Sequence, residues 1–314
     1  MRIICLGTGP FAVPALRALV GAGHDVLQVI TRPPRGRKGD PPAPMAAAAS
    51  ELGLPVWAPE SINLPESQQR LRELNGELLV VCDYGEILKD ATLALTTHGG
   101  INLHGSLLPR YRGAAPVQWA VLNGDTHTGN TVIQMTPGLD AGPILGQQTL
   151  AIDPDETAGE LESRLATAGA ELTLQVVAQL ANGTAVGQPQ DKSQATKALR
   201  LDKAAGLVDW SASAEVIKNR VRGLHPWPRA YTFWRRESQP AVRLVLDRVS
   251  IADTSTADPP GTVLESGKHL LIATGSGVIE IHQLQPAGKR SMTAAEYLRG
   301  APIAVGDSFG NEVV

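Results

Sequence analysis

The chain has only two cysteines in 314 residues, Cys5 and Cys82, and both lie inside apolar runs. That suits buried thiols and leaves no framework for disulfides or a zinc site. No stretch approaches the roughly 18 apolar residues of a membrane span. The opening MRIICLGTG reads straight into a strand without a secretory h-region or cleavage site, so a cytoplasmic location is expected. A strong charge of either sign is also missing: the formal net charge is -3, so any polyanion site must be local. What remains, 43% hydrophobic and 19% charged residues, is the composition of a globular protein long enough for two cored domains.

The first half alternates strands and helices. Arg2 to Leu6 reads as a buried strand, Gly7-Thr8-Gly9-Pro10 as a tight turn, and Val13, Leu16, Leu19 and Val20 as the apolar stripe of a helix. With Val26 to Thr31 as the next strand this makes a βαβ unit, which implies a right-handed crossover and a parallel sheet. Gly7-x-Gly9-x-x-Ala12 also satisfies a loose dinucleotide fingerprint, which keeps an NADP-dependent oxidoreductase in view with Arg32 beside the ribose phosphate. Against it, the second strand ends without an acid for a ribose hydroxyl, and Pro14 disturbs the amides that would hold a pyrophosphate. Arg32, Arg35, Arg37 and Lys38 crowd one Pro/Gly-rich loop with no acid among them, the clearest local candidate for a polyanion contact. A short helix is predicted over Met45 to Leu52, strands at Pro55 to Trp57 and Glu77 to Cys82, and a short helix from Asp83 to Leu88.

Chemistry concentrates in GINLHGSLLPRYRGAAP, residues 100–116. Asn102 and His104 are two apart at the end of a short strand, so their side chains share a face. Gly105 breaks the strand, and a polar, turn-rich passage leads to a helix over Ala114 to Leu122. A strand from Asn130 to Met135 then runs into TPGLDAGP, where Asp140 is the one acid of a Gly/Pro-rich loop. Arg110 and Arg112 suit a structural ion pair as well as a substrate contact. Thr157 to Leu180 reads as a long amphipathic helix preceded by Asp153 and Asp155. Gln188 to Ala205 is polar and without strong periodicity, a linker. Beyond it a helix from Glu215 to Leu224 is followed by short strands at 231–234, 241–251, 261–265, 269–274 and 277–284, the spacing of a small β-barrel of the oligonucleotide-binding type. From Ala205 onward 12 Lys/Arg face 11 Asp/Glu, which permits a nucleic-acid surface there.

At Asn102, LHGSLLPRYRGAAPVQWAVLNGD and the later QMTPGLDAGPIL, the chain resembles the folate-dependent formyltransferases, which move a formyl group from 10-formyltetrahydrofolate to an amine. The resemblance implies Asn102, His104 and Asp140 as the catalytic trio. It places the folate donor against Ser106, Leu107, Leu108 and Pro109, with the apolar residues of 78–88 as the other wall, and requires no metal. GTGPFAVPAL, HPWPRAY, the GTV opening of a barrel strand and IHQLQPAGKRSM are similar to the branch of the family that formylates initiator methionyl-tRNA. On that likeness the expected fold is α/β: a Rossmann-like parallel-sheet formyltransferase domain over 1–187, a linker over 188–205, and an OB-like β-barrel over 206–314 that binds tRNA. Arg32, Arg35, Arg37 and Lys38 would touch the tRNA, and a monomer is expected. A sugar nucleotide or a purine precursor is the alternative amine. The sequence departs from the pattern at Asp83 and Glu86, where small or apolar residues are expected beside the folate pocket.

The implied trio suits the reaction. Formyl transfer passes through a tetrahedral intermediate and needs an oxyanion donor, a proton acceptor for the amine and an acid for the leaving nitrogen. The Asn102 amide can donate to the oxyanion without changing charge, His104 can move protons near neutrality, and Asp140 can orient the imidazole and stabilise its protonated form.

Overall fold

The structure, a computed structural model, describes residues 1–34, 40–236 and 239–312. Backbone contacts divide the chain into two units, one of residues 1–117, 127–151 and 161–199, the other of residues 118–126, 152–160 and 200–314.

In chain order the elements that build the first unit are β1 (Arg2–Leu6), α1 (Val13–Gly21), β2 (Asp25–Ile30), α2 (Pro44–Glu51), β3 (Val56–Trp57), α3 (Pro65–Leu74), β4 (Leu78–Val81), α4 (Asp90–Leu93), β5 (Gly100–His104), β6 (Arg112–Gly113), α5 (Pro116–Leu122), β7 (His127–Gln134), β8 (Ile144–Ala151), α6 (Ala158–Ala181) and β9 (Lys197–Ala198), with α5 and α6 running across the division. The main sheet has the order β3-β2-β1-β4-β5-β7-β8. Its first five strands are parallel, as the βαβ reading requires, which makes this a Rossmann-like domain. β7 and β8 extend it antiparallel. All four residues of β4 are buried, the unbroken apolar run of a strand covered on both faces. Ile4, Leu6, Ile30, Leu79, Val81 and Leu88 belong to the core on one face.

Three local features differ from the sequence reading. Residues 83–88 are not helical: Asp83 and Gly85 both take left-handed backbone angles, φ 49 and 81, which no right-handed turn can contain, and the helix starts at Asp90. β8 escapes sequence reading because it is an edge strand whose core-facing residues are only half-buried and whose centre is Gly146-Gln147-Gln148. The start of α6 is capped by Thr157 and Glu160, each accepting the other's backbone amide, at 3.3 and 2.8 Å, rather than by Asp153 or Asp155.

The second unit holds α7 (Ala214–Gly223), β10 (Ala230–Arg236), β11 (Gln239–Ala252), β12 (Val263–Ser266), β13 (Leu270–Ala273), β14 (Val278–Pro286), β15 (Met292–Thr293), α8 (Ala294–Gly300) and β16 (Ser308–Gly310). Its sheet, in the order β12-β13-β14-β11-β10-β16, is antiparallel throughout. A bridge between Thr262 and Ser308, with Val263 N donating to Asp307 O at 2.9 Å, brings its two ends together into a nearly closed barrel. Leu244, Val263, Ile272 and Ile281 fill the interior with Ile217 and Val221 of α7. α8 carries a complete capping box of Thr293 and Glu296, a local signal for a helix absent from the sequence reading.

Candidate active site

The sheet presents β5 between β4 and β7, with Asn102 paired to Val81 on one side and to Ile133 on the other, and His104 opposite Thr131. Asn102 and His104 therefore leave the same face of one strand. The loop after β7 returns Asp140 to them. Its Oδ1 lies 3.5 Å from Asn102 Nδ2 and its Oδ2 3.7 Å from His104 Nδ1. The His104 side chain is 6% exposed and that of Asp140 11%, so both are largely screened from water. The three residues named from the sequence converge.

The second imidazole nitrogen identifies the tautomer. His104 Nε2 lies 2.9 Å from the Tyr111 carbonyl, which can only accept, so Nε2 carries a proton and Nδ1 faces the Asp140 carboxylate. Asp140 itself has a left-handed backbone, φ 48, which Asp and Asn tolerate better than most residues, and its Oδ2 accepts the Gly113 amide at 2.8 Å. That amide is aimed by the short parallel pair β6–β9. Gly113 has φ 129, and a Cβ there would stand 2.4 Å from the Ala198 carbonyl oxygen, so glycine is demanded both by conformation and by the approach of β9.

Residues outside the sequence-derived set hold this geometry. Gln190 donates through Nε2 to the carbonyls of Asp140 and Gly142, both at 2.8 Å, while its Oε1 accepts Nε and an Nη of Arg112 at 3.1 and 2.6 Å. Thr196 Oγ1 accepts the Tyr111 amide at 2.8 Å. Both belong to the polar stretch after residue 188, where no periodicity marks them. Arg112 is thereby a splint for the Asp140 loop, and Arg110 lies over the Tyr111 ring.

Ser106 to Pro109 follow β5 directly. Ser106 is fully buried, and its hydroxyl donates to the Arg110 carbonyl at 2.7 Å. Thr131 Oγ1 donates to Ser106 O at 2.6 Å and accepts Leu108 N at 3.1 Å, and Gln147 Nε2 donates to Leu108 O at 3.0 Å. Much of the turn's hydrogen bonding is thus met by the protein, while Leu107 and Pro109 keep half-buried surfaces. In 78–88 the side chains of Leu78, Leu79, Val80, Val81, Tyr84 and Leu88 are core, and Ile87, 55% exposed, is the large apolar residue left outside it. Of the apolar side chains in this segment, Ile87 is therefore the one that presents a large exposed surface for a wall.

Glu86 is held by partners within the protein. Its carboxylate accepts Arg32, Ser61 Oγ, Asn63 Nδ2 at 3.0 Å and Ile62 N at 3.2 Å. Arg32, a candidate tRNA contact, is accordingly engaged with Glu86 and lies over the Tyr84 ring. Arg35, Arg37 and Lys38 lie outside the described residues.

Asp83 reaches the glycine loop. Although the residue is exposed, its Oδ2 enters the glycine loop, 1.8 Å from where a Cβ on Gly9 would be, beside the Gly9 amide. Burial pushes the carboxyl up to about 6, the nearby Gly9 amide pulling the other way. A pyrophosphate seated in that loop would meet a carboxylate already occupying its space, which disfavours a dinucleotide. Among the described residues no group of three or more His, Cys, Asp or Glu is arranged to hold a metal ion, and no helix is long and apolar enough to cross a membrane.

The family model described as formyl transferase matches residues 1–177, and that described as formyl transferase, C-terminal domain, matches residues 200–302. The methionyl-tRNA formyltransferase of Rhodopirellula baltica is 45% identical over 98% of this chain and 96% of its own length. That of Solibacter usitatus is 42% identical over 99% of each. The solved structure of WlaRD, a sugar 3N-formyl transferase in the presence of dTDP and 5-N-formyl-THF, aligns with a TM-score of 0.67 at 16% identity over 92% of this chain and 99% of its own. Glycinamide ribonucleotide transformylase 1 from Symbiobacterium toebii aligns at 0.52 with 21% identity, over 61% of this chain and 94% of its own. The two structural likenesses establish the fold.

Proposed function

The chain belongs to the formyltransferase family in both of its domains, and on that premise we propose that it transfers the formyl group of 10-formyltetrahydrofolate to the α-amino group of initiator methionyl-tRNA, giving N-formylmethionyl-tRNA for translation initiation. The observation that carries this reading is end-to-end similarity, at 45% and 42% identity, to relatives named for that activity. The convergence of Asn102, His104 and Asp140 supplies the chemistry.

In the reaction the amine nitrogen attacks the formyl carbon, a C–N bond forms, and the bond from that carbon to the donor's nitrogen breaks. Asn102 Nδ2 donates to the oxygen that becomes negative. His104, its Nε2 proton fixed on Tyr111 O, takes up and returns protons through Nδ1, and Asp140 stabilises the imidazolium that forms. The amine loses its proton to this pair and the leaving nitrogen regains one. Because His104 and Asp140 are largely buried, their electrostatic interaction is less screened than in water.

The donor lies against Ser106, Leu107, Leu108 and Pro109, with Leu107 and Pro109 offering surface and the braced backbone fixing its position. The catalytic domain spans 1–187, residues 188–205 lead from it to the barrel and supply the Gln190 and Thr196 braces of the site, and 206–314 bind tRNA together with Arg32, Arg35, Arg37 and Lys38. The enzyme acts as a monomer in the cytoplasm and uses no metal.

The test is to offer the purified protein 10-formyltetrahydrofolate with methionyl-tRNA, with an amino-sugar nucleotide and with glycinamide ribonucleotide. Formylation of methionyl-tRNA far above the other two is expected; preference for either small amine overturns the assignment.

A further inference from the structure

The order β3-β2-β1-β4-β5 reverses direction between β1 and β4, and in open α/β sheets the crevice beyond the strand ends at such a reversal is the ligand position. Leu6, Val81 and Asn102 form one row across β1, β4 and β5. Two to three residues past that row come Thr8 and Gly9, Asp83, and His104. Thr8 N donates to Asp83 O at 3.0 Å, joining two of these ends. Phe11 packs so near Gly105 that a Cβ there would come within 3.3 Å of its ring, which brings the glycine loop against the end of β5. The glycine loop and the end of the strand carrying Asn102 and His104 thus border the same reversal point.

A glycine loop leading into a helix ordinarily offers its amides to an anion. Here Asp83 Oδ2 fills the space that Gly9 leaves, beside the Gly9 amide. The loop is converted from an anion cradle into a surface carrying negative charge. Glu162 on α6 lies in the same field: burial, and after it the Asp83 carboxylate, push its carboxyl up, as burial does for Asp83 itself. A bound cation relieves that strain and a bound phosphate increases it.

Resting on the formyltransferase reading, we propose that Asp83 is a specificity-determining residue on the acceptor side: its carboxylate in the crevice between β1 and β4 holds the α-ammonium of the aminoacyl ester and excludes a phosphate-bearing acceptor group from the glycine loop. The ammonium form is held before the amine is deprotonated for attack, so Asp83 contributes to capture of the correct acceptor. Its function requires the absence of a Cβ at Gly9, a pairing between two distant positions that only the fold makes visible.

The experiment uses the full chain and its Asp83→Asn and Asp83→Ala variants, with thermal unfolding as a check on folding. Steady-state kinetics with methionyl-tRNA are combined with inhibition by tRNA esterified with the 2-hydroxy analogue of methionine, which lacks the amine, and by inorganic pyrophosphate. Loss of one charge-assisted hydrogen bond predicts that Asp83→Asn raises KM for methionyl-tRNA about ten- to a hundredfold while the donor KM stays within about twofold. The wild-type preference for the amino over the hydroxy ester disappears, and Asp83→Ala becomes more sensitive to pyrophosphate. An unchanged acceptor KM together with an unchanged amino-to-hydroxy preference in folded Asp83→Asn overturns the inference. If the wild-type protein does not formylate methionyl-tRNA at all, it is the functional reading that fails, a result seen before any variant is compared.

Discussion

Replacing Asp140 by asparagine removes one charge and almost no volume, so it isolates what the carboxylate does. In the native site Asp140 Oδ2 accepts the Gly113 amide at 2.8 Å and faces His104 Nδ1 at 3.7 Å. The asparagine oxygen can keep the Gly113 bond, and asparagine tolerates the left-handed backbone at this position, φ 48. Stability should therefore fall by only about 1 kcal/mol, the difference between a charged and a neutral acceptor. The catalytic loss is larger. On the proposed mechanism His104 becomes positively charged as it takes the amine's proton, and its partner is then a neutral amide whose NH2 group also confronts the Asn102 NH2. Loss of the general-base assembly predicts a fall in kcat of roughly 10²- to 10⁴-fold, equivalent to about 3–5 kcal/mol of barrier. Asp140→Ala supplies the contrast: it strands the Gly113 amide and places a left-handed alanine, adding about 1–3 kcal/mol of destabilisation. The assay is single-turnover formylation of methionyl-tRNA at saturating donor, beside urea unfolding of both variants. A kcat for Asp140→Asn within about threefold of wild type would refute the assignment of imidazolium stabilisation to this carboxylate.

Three further outcomes follow from the geometry. Gly113→Ala forces a Cβ to 2.4 Å from Ala198 O at a φ of 129, so it should cost about 1–3 kcal/mol in strain and reduce kcat by displacing the amide that holds Asp140, read by thermal unfolding and by the same single-turnover assay. Glu86→Ala leaves Arg32 without its carboxylate and Ser61, Asn63 and Ile62 N without their acceptor, and should destabilise by about 3 kcal/mol while raising the donor KM more than kcat falls; an unaltered urea midpoint would show that the clasp does not hold the 83–88 loop. For Asp83 the folded carboxyl titrates near 6, above its ordinary value of 3.8, so the folded state binds the proton more tightly than the unfolded chain. Its favourable contribution is fully present below about pH 4 and lost as pH rises through about 6. Asp83→Asn should therefore be more stable than wild type at pH 7.5, with the gap closing towards pH 4, and a pH-independent difference would contradict that.

Much of the site was legible in the residues themselves because it is written locally. Asn102 and His104 are two apart on a strand, so their common face follows from strand geometry alone, and Asp140 is the sole acid of its loop. The βαβ start and the β-barrel strands were readable for the same reason: each is a periodic apolar pattern that its own element buries. Two local signals were present without being read, the Thr157–Glu160 and Thr293–Glu296 caps.

What the sequence determined by itself is therefore the chemistry-bearing residue types, the elements that carry most of them and the family. What only the tertiary structure decided is how those groups are held and charged. Gln190 supports the Asp140 loop from 50 positions away, Glu86 meets Arg32 across 54, and Asp83 fills the space over Gly9. Such relations depend on which chain segments the sheet order brings together and on single missing atoms, neither of which leaves a periodic trace in the sequence. The left-handed turn at Asp83 shows the same limit: residues 83–88 read as helical, but the bond from Thr8 and the contact with Gly9 hold Asp83 in another conformation.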